Sequence, residues 1–362
     1  ETDLRGLPKE EQEQETRRLA AEAAQRPFDL ARGPLLRASV LYLGEDDLAI
    51  LLVMHHIVSD GWSMDVLFRE AVMSYLAFSQ GKDSPLTPLP IQYADFAHWQ
   101  REWLKGTVLE AQLTYWKQRL ANLAPTELPT DYPRPSVQTY RGAKYFVTLP
   151  VRLSQDIKAL SAREGCTLYM TLLAAFKTLL HRYTGQVNVT VGSATANRNR
   201  AEIQNLIGFF VNSLVMRTDL GGNPSFRELM GRVREVALGA FAHQDLPFEQ
   251  LVEELHPERS LSREPMYQVA FVFQNAPRSG LKIPGLSIER VVGDNASSKL
   301  DLLVTFWETG HGLTCSFEYS TDLFKAATIE RMAQHFQTLL EGIGANPDWR
   351  LSELPLMSAG ER

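Results

Sequence analysis

The chain has 362 residues, with 37 Lys and Arg against 43 Asp and Glu, which gives a formal net charge of −6. This length predicts two domains of ordinary size, and the hydrophobic content of 44% and charged content of 22% are typical of a soluble globular protein. The acidic balance argues against nucleic acid and against an anionic membrane as partners.

Two further features of the sequence bear on location. No apolar run reaches the roughly 18 residues that a membrane span requires, and no signal-peptide pattern opens the chain. The two cysteines, Cys166 and Cys315, supply no disulfide framework, which predicts a reducing, cytoplasmic location. Because the sequence starts at Glu1 without an initiator methionine, we expect a piece of a longer protein, monomeric once excised.

Apolar periodicity and turn residues predict the elements of a first domain, residues 1–130. The pattern predicts helices at 9–25, 63–80 and 108–120 and strands at 35–43 and 47–54, with a hairpin turn at 44–46. Residues 124–142 contain four prolines and end on Gly142, which is the strongest linker signal in the chain. The predicted domain boundary therefore lies in this stretch.

The second predicted domain, residues 131–350, again alternates strands and helices. The pattern predicts helices at 154–163, 168–183, 225–242 and 325–342 and strands at 144–149, 187–193, 211–219, 267–274, 298–308 and 313–319. Hairpins are frequent and the crossovers are irregular, which favours an α/β (α+β) class with mixed sheets covered by helices over a doubly wound parallel fold. No G-x-G-x-x-G or P-loop string supports nucleotide binding.

The most informative string follows the apolar strand that ends near residue 54. It reads Met54-His55-His56-Ile57-Val58-Ser59-Asp60-Gly61. A histidine at the exit of a buried strand can be held rigidly while one ring nitrogen faces a cavity, and Asp-Gly suits the tight turn that must follow. The setting favours a general base or a positioning group, with Asp60 as a structural partner of its loop.

Other interpretations of the two histidines remain open from the residues alone. Adjacent side chains on an extended strand point to opposite faces, so one of His55 and His56 is expected to pack inward while the other faces a cleft. Histidine and aspartate are good metal ligands, but no second His or Cys pair completes a site, so we expect no metal.

Four other strings are individually weak. Tyr93–Trp99 is dense in aromatic residues and favours a packing cluster. Ile207–Ser213 is typical of a buried strand whose glycine admits another backbone, and Arg217 nearby needs a carboxylate partner, for which Asp60 is a candidate. His243–Glu249 ends one helix and begins another, with Pro247 near the first helical position. Arg259–Pro265 is a polar loop before a strand.

In this order, the strings resemble the core motifs of a condensation domain of a nonribosomal peptide synthetase. The matching segments are Met54–Ser63, Tyr93–Trp99, Ile207–Arg217, His243–Glu249 and Arg259–Pro265. The Trp62-Ser63-Met64 context resembles the subtype that joins an L-configured donor to an L-amino acid. Residues 351–362 resemble the start of the linker into an adenylation domain. The family's first two core motifs have no counterpart, so the N-terminal portion of the domain is expected to be missing.

The resemblance implies two lobes like chloramphenicol acetyltransferase, arranged as a V-shaped pseudodimer around a tunnel. It implies amide formation between a donor thioester and an acceptor amine, both on phosphopantetheine arms of peptidyl carrier proteins, and no cofactor bound by the domain itself. Carried onto this chain, it places His56, Asp60 and Gly61 in the catalytic set. His55, Trp62 and Ser63 are expected to support the site, together with Arg217 as the ion-pair partner of Asp60. We expect His56 mainly to hydrogen-bond the amine.

Four rival functions share this type of fold. An epimerization domain carries the histidine string but a different pattern after the aspartate, and a heterocyclization domain replaces the first histidine, so His55 argues against it. Single-substrate acyltransferases of the superfamily keep His-x-x-x-Asp but lack the string at 243–249. A non-catalytic, condensation-like recruiting domain usually loses part of the histidine motif, which is complete here.

Overall fold

A computed structural model describes residues 1–257, 260–274, 285–288, 296–310, 312–357 and 360–361. These residues divide into two compact units. The first unit comprises residues 1–100, 198–211 and 285–288, and the second comprises the other described residues. Both units combine helices with a mixed sheet, so the predicted α/β class with mixed sheets is confirmed.

The first unit is built on a three-stranded sheet of order β1-β2-β3. β1 pairs with β2 in parallel, and β2 with β3 antiparallel, with Leu36 opposite Met54 and Tyr42 opposite Leu48. The predicted hairpin is therefore confirmed. The elements are β1 Thr2–Asp3, α1 Lys9–Gln25, β2 Leu36–Tyr42, β3 Leu48–Met54, a 3-10 turn His56–Val58, α2 Gly61–Phe78 and α3 Tyr93–Trp103, whose last three residues belong to the second unit.

Apolar burial in the first unit is shallow. Its main core cluster consists of Phe96, Ile203, Leu206 and Phe210. Alternate side chains of β3 point to one face of the sheet and stay exposed, with Ile50 66% accessible. Packing alone therefore gives this unit a limited part of its stability, since the hydrophobic contribution scales with the apolar area removed from water.

The second unit contains a six-stranded sheet of order β4-β9-β8-β7-β5-β6. The pairs β5–β7 and β7–β8 are parallel and the others are antiparallel. The elements are α4 Gly106–Arg119, β4 Gly142–Thr148, α5 Val151–Arg163, α6 Leu168–Thr184, β5 Asn188–Thr195, β6 Asn212–Asp219, α7 Phe226–Ala242, α8 Phe248–Leu255, β7 Val269–Gln274, β8 Leu302–Thr309, β9 Gly312–Ser320 and α9 Ala326–Ala345.

Local signals explain why the helices of the second unit begin and end where they do. The Thr167 side chain caps α6 by accepting from the Met170 N–H, and Gly185 ends the helix in the left-handed conformation. Ser225 and Glu228 form a capping box at α7. Helix α6 is buried along nearly its whole length, as its apolar run predicts, and packs against α5, α7 and α9.

The two units divide the chain at different positions from the predicted boundaries. Residues 101–130 group with the second unit because Trp116 and Leu120 insert into its core. The loop 198–211, which leaves the second unit after β5, groups with the first. Leu351 and Leu354, placed in a linker by the sequence, are 0% and 1% exposed in the second core. Proline content predicted irregular backbone correctly, but irregular backbone can still pack into a core.

Among the described residues, no helix combines the length and the apolar character that crossing a membrane would require.

Candidate active site

The histidine string forms a tight turn between β3 and α2 in the first unit. β3 ends at Met54, and the His55 N–H still donates to Leu35 O at 2.9 Å. The chain then turns through a 3-10 turn, His56–Val58, and enters α2 with Asp60 as the N-cap residue. Helix α2 begins two residues earlier than predicted because the Asp60 side chain accepts the Ser63 N–H at 2.7 Å.

The His56 ring is exposed and has one nitrogen fixed. His56 Nδ1 lies 2.6 Å from Ser59 O. A carbonyl oxygen can only accept, so Nδ1 carries the proton of this bond. In the neutral imidazole, Nε2 is then the unprotonated nitrogen, which can accept a hydrogen bond or a proton. The Phe209 ring meets the His56 ring edge to face, with centroids 5.1 Å apart.

His55 has a different, structural position. Its Nδ1 accepts the Ile57 N–H at 3.1 Å and so caps the 3-10 turn. Its ring lies edge-on to Phe28, with centroids 5.8 Å apart. The two neighbouring histidines therefore make different contacts.

The Asp60 carboxylate is 4% exposed and is surrounded by donors. Besides the Ser63 N–H, it accepts the Phe210 N–H at 3.0 Å and contacts Arg198 Nη2 at 3.1 Å. A buried carboxylate with this many donors has little capacity left for a reacting group. The geometry gives Asp60 the part of a scaffold, in line with the expectation of a structural partner of the loop. It does not support contact between Asp60 and a reacting group, which its expected place in the catalytic set would imply.

The arginine partner of Asp60 is Arg198, and the expectation of Arg217 is wrong. Arg198 lies in the loop after β5 that belongs to the first unit, whereas Arg217 lies on β6 of the second unit. Arg217 donates to Ala121 O at 2.7 Å. The sequence placed an arginine near a buried strand but could not show which loop folds back onto the histidine turn.

Arg198 is itself deeply enclosed. Its Nη1 donates to Ile203 O and Leu206 O, both at 2.7 Å, and its guanidinium carbon lies 4.1 Å from the Phe210 ring centroid. Burial lowers the pKa of the Arg198 guanidinium from its usual value, and the Asp60 carboxylate opposes that shift. The ion pair therefore keeps a charge in a place that would otherwise disfavour it.

The Ser63 hydroxyl joins the turn to the loop. Ser63 Oγ lies 2.7 Å from Asp60 Oδ1 and 2.8 Å from Gly208 O, so its single proton serves these two acceptors. It accepts from Arg198 Nη2 at 2.7 Å and from the Gly208 N–H at 3.1 Å. The supporting position expected for Ser63 thus has a defined geometry.

Gly61 and Trp62 open helix α2. Apart from its chain neighbours and the backbone of its own helix, a Cβ atom added to Gly61 would meet no atom of the described residues within 4 Å, so their packing does not require glycine at this position. Trp62 donates its indole N–H to Gln204 O at 2.8 Å and so joins α2 to the loop 198–211.

The aromatic string Tyr93–Trp99 forms the start of α3 and packs against the same loop. Tyr93 donates its hydroxyl to Phe209 O at 2.7 Å, and Phe96 lies in the core cluster with Phe210. A Cβ atom on Gly208 would come 2.2 Å from the Tyr93 ring. The glycine therefore admits an aromatic ring, where the sequence predicted another backbone. The packing-cluster interpretation is confirmed.

The remaining strings come together in the second unit. Asn212 donates to Gln244 O and Leu246 O at 2.8 and 2.7 Å and accepts the Phe248 N–H at 3.0 Å, which joins two of the strings. Pro247 is the residue before α8, as predicted. Arg259 lies outside the described residues. Segments of three strings line a cavity of about 570 Å³, through Ser213, Phe248, Glu249, Glu264 and Pro265.

Metal binding finds no support in the described part of the chain, which contains no group of three or more His, Cys, Asp or Glu side chains able to hold an ion. Sequence reasoning missed two residues of the site, Arg198 and the ring of Phe209. The only sequence signal for Arg198 is its polar surroundings, Ala196-Asn197-Arg198-Asn199-Arg200, between two strands. Nothing local marks it as buried.

Comparison with known proteins identifies the family. Residues 1–362 match the Condensation domain family. The chain belongs to this family. It is 51% identical over 365 residues to one of the linear gramicidin synthase polypeptides of Brevibacillus parabrevis, an alignment that covers 100% of this chain and 5% of that protein. The condensation domain therefore spans a small fraction of the curated relatives it matches.

Solved structures give the same fold for this condensation domain. The X-domain from teicoplanin biosynthesis is 28% identical, with a TM-score of 0.87 over 95% of this chain and 80% of that one. The complex of that X-domain with OxyB gives a TM-score of 0.86 at 28% identity, over 96% and 78% of the two chains. Peptide bond formation, an acyl transfer, is the standard function of the family.

Proposed function

We propose that this domain forms an amide bond between a donor aminoacyl or peptidyl thioester and the α-amine of an acceptor aminoacyl thioester. The amine attacks the thioester carbonyl, the C–N bond forms, the C–S bond breaks, and the thiol leaves. The amine loses one proton in this step, and the departing thiolate needs one. The Trp62-Ser63-Met64 context supports an L-configured donor and an L-acceptor.

One observation carries this proposal. The bond from His56 Nδ1 to Ser59 O leaves Nε2 of an exposed imidazole as the free acceptor. An acceptor nitrogen at a fixed position can hold the N–H of an incoming amine on the line of attack. Since a thioester is already activated, holding the amine supplies most of the acceleration, and proton removal by Nε2 is secondary.

Gly61 contributes space and a backbone donor. Its missing side chain leaves an opening beside the turn, and a first-turn N–H of a helix has no partner within that helix. Such an N–H at a helix N-terminus stabilises negative charge. In this proposal Gly61 lets the substrates pass and helps to stabilise the oxyanion of the tetrahedral intermediate.

The substrates arrive on other proteins. The relatives are multidomain synthetase polypeptides, which supports an upstream donor and a downstream acceptor peptidyl carrier protein as partners, with an adenylation domain in the same chain. The phosphopantetheine arm belongs to the carriers in this proposal, and the domain itself works without a bound cofactor. The synthesis takes place in the cytoplasm.

A comparison of His56→Gln with His56→Ala tests the role of His56. The carbonyl of glutamine reaches the place of Nε2 and accepts a hydrogen bond, but it removes no proton at neutral pH. The assay uses one carrier protein loaded with the donor and one loaded with the acceptor, and intact-protein mass spectrometry measures the dipeptide that forms on the acceptor carrier. We expect His56→Ala to slow condensation about 10²-fold or more. His56→Gln should retain at least about a tenth of the wild-type rate.

Each other outcome has a definite meaning. Equal losses in both variants would show that proton removal dominates. An unchanged rate in His56→Ala would exclude His56 from the reaction. Thermal unfolding of both variants serves as the control, and because the ring is exposed, neither change should lower stability by more than about 0.5 kcal/mol.

A second candidate function is recruitment of a partner protein. It is supported by the X-domain of the same fold, which has been solved in complex with OxyB. The same carrier assay separates the two functions. Dipeptide formation supports condensation. Carrier binding without any dipeptide, after an incubation much longer than one catalytic cycle, supports recruitment. An epimerized aminoacyl product would instead support the epimerization alternative.

A further inference from the structure

Each histidine of the turn meets one aromatic ring edge to face. His55 meets Phe28, with centroids 5.8 Å apart and planes at 85°. His56 meets Phe209, with centroids 5.1 Å apart and planes at 86°. Both geometries lie in the favourable range for aromatic pairs. The two contacts differ in one respect: only the contact with Phe209 involves His56, the histidine to which the proposed function assigns a role in the reaction.

The backbone around Phe209 is fixed on both sides. Its own carbonyl accepts the Tyr93 hydroxyl at 2.7 Å. The preceding N–H, of Gly208, donates to Ser63 Oγ at 3.1 Å, and the following N–H, of Phe210, donates to Asp60 Oδ2 at 3.0 Å. Ser63 and Asp60 lie at the start of α2, directly after the His56 turn. The Phe209 ring is therefore placed by the same residues that place the turn.

The His56 ring needs a second point of support. Among the described residues its ring makes one hydrogen bond, from Nδ1 to Ser59 O, which fixes a single atom. An imidazole held at one atom can still pivot, or rotate by 180° about Cβ–Cγ, which breaks the bond and turns Nε2 away. A ring packed edge to face against the imidazole disfavours both movements, since either one would disrupt the aromatic contact.

We propose that Phe209 is a positioning residue that fixes the orientation and the tautomer of His56. Together, Ser59 O and the Phe209 ring keep Nδ1 protonated and Nε2 free and aimed away from the loop. The consequence for catalysis rests on the proposed function of His56, but the orientation itself does not. Phe209 touches no reacting atom in this assignment.

Nitrogen NMR of the histidine rings tests the orientation without any activity measurement. In ¹⁵N-histidine-labelled protein, with His56 assigned by loss of its signals in His56→Gln, we expect a protonated Nδ1 and an unprotonated Nε2 at pH above neutrality. In Phe209→Ala the His56 signals should move toward the averaged values of mixed tautomers. Phe209→Leu, which keeps bulk, should restore most of the wild-type pattern.

Phe28→Ala is the matched control, because it removes the same kind of contact from the neighbouring histidine. It should shift the signals of His55 and leave those of His56 in place. Tyr93→Phe offers a milder change at the backbone of Phe209 if Phe209→Ala folds poorly, and it should give a smaller shift in the same direction. Unchanged His56 signals in Phe209→Ala and in Tyr93→Phe would overturn the proposal.

Condensation kinetics add the functional readout. We expect Phe209→Ala to lower kcat about tenfold or more with KM within about twofold, and Phe209→Leu to recover within about threefold of wild type. If Phe209→Ala changes the tautomer of His56 while kcat stays unchanged in both Phe209→Ala and His56→Ala, the positioning role of Phe209 is supported and the function proposed for His56 is overturned. Failure of the positioning proposal and failure of the proposed function therefore give different results.

Discussion

The two units bury a cationic side chain in opposite ways. In the first unit, Arg198 pairs with Asp60 at 3.1 Å, beside a small apolar cluster. In the second, Lys177 is 0% exposed in a deep core, and its Nζ contacts Val189 O at 3.2 Å and Thr218 Oγ1 at 2.9 Å. Among the described residues, no carboxylate forms an ion pair with it.

The difference shows what holds each unit together. Burial drives the pKa of Lys177 well below its usual value, because removal from water disfavours the charged ammonium. A deep apolar core can tolerate one such group. In the first unit, which has a small apolar core, the hydrogen bonds of Asp60, Arg198 and Ser63 hold the histidine turn. This polar network supplies stability there that apolar packing supplies in the second unit.

The largest loss of stability is expected on removal of the ion pair between Asp60 and Arg198. We expect Arg198→Met to lower the free energy of unfolding of the first unit by about 3–5 kcal/mol, since it leaves Asp60 buried without its cation. The double variant Asp60→Asn/Arg198→Met should recover part of this loss. Hydrogen exchange of the Ser63 and Phe210 amides, which donate to Asp60, measures the effect locally.

A surface ion pair of the second unit is the matched control for this change. Lys117 and Glu254 are paired at 2.8 Å, with side chains 48% and 40% exposed. Lys117→Met should lower stability by at most about 1 kcal/mol. If Arg198→Met lowers the free energy of unfolding by no more than Lys117→Met does, the polar network does not hold the first unit.

Substitution of two glycines of the first unit is expected to have smaller effects on stability, which differ between the two positions. Gly208→Ala places a Cβ against the Tyr93 ring, so we expect a loss of about 1–3 kcal/mol by chemical unfolding. Gly61→Ala meets open space and should change stability by less than about 0.5 kcal/mol, yet slow condensation about tenfold by narrowing the approach of the substrates. If Gly208→Ala and Gly61→Ala lower stability equally and slow condensation equally, the assignment of a packing role to Gly208 and of a substrate-access role to Gly61 is wrong.

A further effect, spread over a range of pH, concerns Lys177. Its folded pKa lies below the unfolded value near 10.5, so over the interval between them the unfolded chain binds more protons. The free energy of unfolding of the wild type should therefore rise with pH relative to Lys177→Met, by up to about 1.4 kcal/mol per pH unit. Urea unfolding at pH 7, 8 and 9 measures this slope.

An exposed lysine gives the control for the pH series. Lys82 is exposed in the first unit, so Lys82→Met should unfold with the same pH dependence as the wild type. If the free energy of unfolding changes with pH in the same way in the wild type and in Lys177→Met from pH 7 to 9, the pKa of Lys177 is not lowered by burial in the folded protein.

Local patterns predicted most elements because their signals lie within a few residues of each other. The hairpin of β2 and β3, the buried α6 and the capped α7 all follow from periodicity, turns and caps. The grouping of residues 101–130 with the second unit and of 198–211 with the first could not be found in this way. Prolines mark irregular backbone, but whether that backbone crosses a gap or packs into a core depends on distant side chains such as Trp116 and Leu354.

The order of residues at the turn, a strand followed by two histidines, an aspartate and a glycine, was enough to indicate the condensation family. Which arginine meets Asp60 and which ring meets His56 depends on tertiary contacts. Arg198 and Phe209 lie about 140 to 150 positions further along the chain. Their contacts depend on a loop folding back onto the first unit, and no short-range pattern encodes such a return.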